Sequence, residues 1–94
     1  MPEVIFTLRW PDGSETANYS PSSVVQSFFS AGEVLALEDF LQRARCAMAQ
    51  ASDRVRQKYG MPCARAAATL AELEARGQAF IDRPGARITV LALT

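Results

Sequence analysis

Two alternating runs, VIFTLRW (Val4–Trp10) and SETANYS (Ser14–Ser20), flank the tripeptide Pro11-Asp12-Gly13. No other stretch restricts the fold as tightly. Proline presets φ for the first turn position, Asp suits the second, and Gly takes the left-handed conformation that follows. This is the chemistry of a type I turn closed by a glycine bulge. A three-residue loop fixes the register: Trp10 faces Ser14, Arg9 faces Glu15, Leu8 faces Thr16, Phe6 faces Asn18 and Ile5 faces Tyr19. The Arg9–Glu15 cross-strand pair favours this register over that of a two-residue turn, although such a pair contributes only ~0.2–1 kcal/mol. Alternation then sorts the side chains. Val4, Phe6, Leu8 and Trp10 share the core face with Thr16 and Asn18. Ile5, Thr7 and Arg9 share the other face with Glu15, Ala17 and Tyr19.

The rest of the chain changes period. Val24, Val25, Phe28 and Phe29 have helical spacing, with Ser22 or Ser23 as cap and Ala31-Gly32 as stop. From about Leu37 to Tyr59 an amphipathic helix is expected, its stripe formed by Leu37, Phe40, Leu41, Ala44, Met48, Ala51 and Val55. Glu38 and Asp39 suit its first turn, Arg54, Arg56 and Lys58 its last, and Gly60 closes it. A second helix, roughly Pro62 to Ile81, carries Cys63, Ala66, Leu70, Leu73, Gly77 and Phe80 on its stripe. Arg83-Pro84-Gly85 breaks the chain, and Ala86–Thr94 reads as a final strand. The order strand, strand, helix, helix, strand specifies an α+β domain over residues 1–94. Its expected form is two layers, a small sheet packed against two antiparallel helices.

Chemistry-bearing residues are sparse. Ten basic and ten acidic side chains balance, so no global field draws the chain to nucleic acid or an anionic membrane. Histidine is absent, which removes the usual general base and the commonest metal ligand. Two cysteines, Cys46 and Cys63, fall short of a zinc set, and Cys63 on its apolar stripe reads as a small buried hydrophobe. Glu38 and Asp39, adjacent on a helix, point about 100° apart and cannot face one another as an acid/base pair. The hydroxyls of Ser20-Pro21-Ser22-Ser23 have no base beside them. DRVRQK (Asp53–Lys58) reads first as a solvated helix end, with Arg54, Arg56 and Lys58 as a candidate anion contact. No catalytic, cofactor or metal residue is nominated, and the enzyme reading leans towards no. Met1–Trp10 reads as a strand and not as a secretory leader, and no apolar run reaches membrane-spanning length. The expectation is a cytoplasmic protein.

One feature goes beyond a bland domain. If Ile88, Val90 and Ala92 face the helices, Leu91 and Leu93 join Ile5 and Tyr19 on the outer sheet face. A solvated face should be polar, so Ile5, Tyr19, Leu91 and Leu93 form a candidate interface, most simply between two copies of the chain. The rival expectation is that Val24–Phe29 covers this patch from within the same chain.

RWPDG, the YSPS of Tyr19–Ser22, and ASDRVRQKYGMPCARA (Ala51–Ala66), taken in order, resemble a small bacterial family of nitrogen-starvation-response proteins. That family is encoded in gene clusters built around a nitrilase, which commonly include a radical-SAM protein, an acetyltransferase and a flavoprotein. The resemblance covers nearly the whole chain. It implies induction under nitrogen limitation and an association with nitrile or nitrogen-scavenging metabolism, and no activity for this subunit. With the sparse chemistry above, the first reading is a non-catalytic accessory or binding protein serving the other products of such a cluster. A small enzyme or enzyme subunit acting on a nitrogenous metabolite is the alternative. The family commonly places Cys where this chain has Asn18, while Cys63 matches its second Cys. A functional thiol pair in relatives would therefore be missing here.

Overall fold

The computed structural model describes residues 3–61 and 63–94. Strands β1 (Val4–Arg9) and β2 (Glu15–Ser20) pair antiparallel in the register set by the turn, from Val4 opposite Ser20 to Arg9 opposite Glu15. Gly13 adopts φ +87°, and its amide donates to the Trp10 carbonyl at 2.8 Å. The Asp12 carboxylate accepts from the Ser14 hydroxyl at 2.6 Å and the Ser14 amide at 3.0 Å. Those two donors, the hydroxyl foremost, hold the Asp12 carboxyl below its ordinary range.

Four strands form the sheet where three were expected. Val34–Ala36 makes a short β3 that pairs with β4 (Arg87–Leu93), giving the antiparallel order β2-β1-β4-β3. The α+β two-layer class stands. Helix α1 (Leu37–Tyr59) starts directly from β3, with the Leu37 amide bonded to the Ala86 carbonyl at 3.1 Å. It ends at Gly60, whose φ of +79° reverses the chain. Helix α2 (Ala64–Gln78) returns along it. The expected start of this helix at Pro62 lies outside the described residues.

The inner sheet face buries Val4, Phe6, Leu8, Trp10, Leu35, Ile88 and Val90 against Phe40, Leu41, Ala44, Met48 and Leu73. Alternation on the strands and the 3.6-residue stripe on the helices dictate this selection. Between β2 and β3, Ser23–Ser27 forms a 3-10 turn, with the Ser22 hydroxyl accepting from the Val24 amide at 3.3 Å. The turn delivers Val25 and Phe29 into the same core, where Phe29 stacks on Phe6 at 6.2 Å and leans on Phe40 at 5.5 Å. The Val24–Phe29 segment therefore packs on the inner side and does not cover the outer face.

Three placements correct the sequence reading. The ten residues from Ser52 to Met61 include no buried side chain, and Val55 is only half-buried. The eight helical residues Ser52–Tyr59 therefore carry the end of α1 past the core for about 12 Å at 1.5 Å per residue. Cys63 lies before the first turn of α2 with extended backbone and is half-exposed, so it is not a core residue. On β4 the register slips between Thr7 and Leu8 of its partner: Val90 pairs with Leu8, but Ala92 pairs with Thr7 and Leu93 with Phe6. One extra residue reverses the alternation beyond it. Leu93 thus turns inward onto the core and Ala92 turns outward, the opposite of the expected assignment.

Candidate interaction surface

Both helices and the 3-10 turn pack on one side of the sheet, which leaves the other side open. The register assigns Ile5, Thr7 and Arg9 of β1, Glu15, Ala17 and Tyr19 of β2, Thr89 and Ala92 of β4, and Val34 of β3 to this open face. Its middle row is Ala17–Thr7–Ala92, short side chains where a solvated sheet would carry long polar ones. Ile5 is 39% exposed and Val34 51%. Leu91, the extra residue of the bulge, is half-buried and lies outside the core cluster.

Of the four candidate interface residues, Ile5 stands open on this face and Leu93 does not belong to it. Tyr19 lies at the edge, with the Arg65 guanidinium 3.7 Å from the centre of its ring. Loss of solvation, together with the nearby Glu3 carboxylate, raises the Tyr19 phenol above its ordinary value. Tyr19 is thus partly covered by α2 and closes the β2 edge instead of offering a free anchor. Sequence reasoning missed Val34 and Ala92. The alternation in Glu33-Val34-Leu35-Ala36 was the available signal for Val34. For Ala92 there was none, because the apolar run ITVLAL conceals a one-residue slip.

The basic trio does not converge. Arg54 and Lys58 line a shallow, open groove on α1 with Gln50, Asp53 and Gln57. Arg56 instead pairs with Asp53 at 3.1 Å, both side chains exposed. An anion there would meet mobile, solvated cations with a carboxylate among them. Beside this groove the projecting tip exposes Tyr59 at 67% and Met61 at 70%. Cys46 is exposed on α1, and the Cys63 amide donates to the Ser52 hydroxyl at 3.4 Å.

The hydroxyls of the YSPS block are structural. Ser20 and Ser22 are buried, the Ser20 hydroxyl donates to the Ser22 carbonyl at 2.8 Å, and Ser22 caps the 3-10 turn. Asn18 points inward, its amide donating to the Phe6 carbonyl at 3.1 Å and the Thr16 hydroxyl at 3.1 Å. That hydroxyl also accepts from the Trp10 indole at 2.8 Å. The residues that distinguish the N-terminal block thus hold one another in place. They build the hairpin and its exit.

Residues 5–93 match the family model described as nitrogen starvation-induced protein NitG. The chain belongs to this family. No protein of curated function and no solved structure matches it. The matched span takes in the described strands and helices, except Val4 at the start of β1, so the open face of the sheet is part of the family domain. No helix among the described residues is long and apolar enough to cross a membrane.

Proposed function

We propose that this member of the nitrogen starvation-induced family is a non-catalytic accessory protein that works through protein–protein contacts made by the open face of its sheet. The observation that carries this reading is the composition of that face. Ile5, Ala17, Ala92 and Val34 stand around Thr7 and Thr89 on the side of the sheet opposite the helices, a face with little polar bulk at its middle. The chemistry-bearing residues support it from the other direction. Ser20 and Ser22 of the YSPS block are buried in the hairpin exit, and the basic side chains of α1 are exposed, with Asp53 among them. The partners proposed are a second copy of the chain and other products of a nitrilase gene cluster, in the cytoplasm of a bacterium.

A pull-down from nitrogen-starved cells tests the contact reading. Tagged wild type and an Ile5→Glu variant, both shown to be folded, are compared for capture of the cluster's enzymes. Capture by the wild type and loss with Ile5→Glu is expected. Equal capture by both would place the contact elsewhere on the molecule.

A further inference from the structure

We propose that the occupant of the open sheet face is a second copy of this chain, packed face to face with its strands running in the opposite direction. This rests on the contact reading above and names its partner. Three features of the face select that occupant.

The first is shape. A row of Ala17, Thr7 and Ala92 across the centre gives a flat, shallow surface with no groove for a helix or peptide. Two such sheets can approach the ~10 Å spacing of packed β-layers across this middle row, because the long side chains of the face, Arg9, Glu15, Tyr19 and Arg87, stand towards its ends.

The second is area. At ~4.8 Å spacing and ~3.3 Å per residue, the three longer strands and the three-residue β3 cover a footprint of roughly 350 Å². Allowing for side-chain relief, burial on both copies comes to roughly 1,100 Å², at the low end of specific interfaces, where weak reversible pairs lie. The pair therefore forms as a micromolar dimer and not as an obligate one.

The third is charge. Arg87 stands at the end of the face near the hairpin turn, two residues beyond Thr89, which pairs with Arg9. Among the described residues Arg87 makes no ion pair. Glu3 lies at the opposite end, just before β1 and beside Tyr19. A two-fold axis lying in the face across the strands carries each Arg87 over the partner's Glu3 end, and both pairs form at once. An axis along the strands would instead bring each Arg87 towards the partner's Arg9, a like-charge contact. Antiparallel strands are the self-complementary choice.

Sedimentation velocity on the purified full chain tests this, across a concentration series from low to high micromolar. The wild type should shift from monomer to dimer within that range. Ala17→Glu places a carboxylate in the middle row of the closed face, on its β2 side, and should raise the dissociation constant by at least ~100-fold. Ala49→Glu on the exposed surface of α1 should leave it unchanged. Arg87→Glu alone should weaken the pair about tenfold, and Arg87→Glu with Glu3→Arg should restore it. Circular dichroism confirms that each variant is folded. A wild type that stays monomeric, a dimer indifferent to Ala17→Glu, or growth beyond the dimer would overturn the proposal. Because only purified chain is present, failure here is independent of the pull-down result.

Discussion

At the scale of single residues, two glycines in the fold are needed for different reasons. Gly13 has a φ of +87° and open space around the position a Cβ would occupy, so its constraint is purely backbone conformation. Gly13→Val should cost about 1–3 kcal/mol in chemical denaturation, and an unchanged midpoint would contradict the left-handed turn. Gly77 has ordinary helical backbone, but a Cβ there would sit 3.0 Å from two methyl carbons of Leu41. Its constraint is the close approach of α2 to α1. Asp12 adds a pH signature. The Ser14 hydroxyl and amide lower its pKa in the fold, so its contribution is full above the ordinary value of 3.8 and is lost as pH falls through the lowered value. Asp12→Asn keeps the acceptor and removes the charge. The gap in melting temperature between wild type and this variant should persist at neutral pH and close in acid, and a gap independent of pH would sink the assignment. The turn itself was legible in Pro11-Asp12-Gly13 because its φ requirements match those three residue types. The Asp12–Ser14 contact was not, since residue spacing alone does not say which polar neighbours meet.

Among the elements, the helices divide into supported and unsupported lengths. Met48 is buried in the layer between sheet and helix, whereas Val55, two turns later on the same stripe, is only half-buried. Met48→Ala should cost ~2–5 kcal/mol by the usual core scale, and Val55→Ala well under half of that. Equal losses would mean that the end of α1 is packed after all. The half-exposed Cys63 sits at this same projecting tip. A thiol reagent should therefore label it in the native protein at a rate close to that of exposed Cys46, and protection until unfolding would restore the buried reading. Helix boundaries at Leu37, Tyr59 and Gly60 were legible because a stripe, charged termini and a stop residue coincide. Reach was not, because periodicity tells which side of a helix is apolar but not where its partner surface ends. The bulge in β4 was hidden for a related reason. In Ile88–Leu93 both candidate faces are apolar, so a slip by one residue leaves no mark in the pattern.

For the whole molecule, the same overhang distinguishes modes of assembly. The Cα extents are 42 × 22 × 18 Å, and α1, 23 residues long, is the longest element. The tip segment Ser52–Met61 holds Arg54, Arg56 and Lys58 against Asp53 alone, although the chain as a whole is neutral. The excess of acidic side chains therefore lies in the body, and each copy is an elongated body with a basic point. The tip hangs beyond the end of the sheet where β2 finishes, since Arg65 near the start of α2 reaches Tyr19 there. If two sheets pair with strands reversed, the two basic points leave from opposite ends. The particle then lengthens by about one overhang of eight helical residues at 1.5 Å each, to roughly 54 Å between Cα extremes. With strands parallel, both tips would share one end, the length would stay near that of one copy, and like charges would be concentrated there. Small-angle scattering at a concentration where the dimer dominates separates the two. A maximum dimension longer than the monomer's by about 12 Å is the expected result. A dimer no longer than the monomer, or one that assembles only at high salt where tip repulsion is screened, would point to the parallel arrangement.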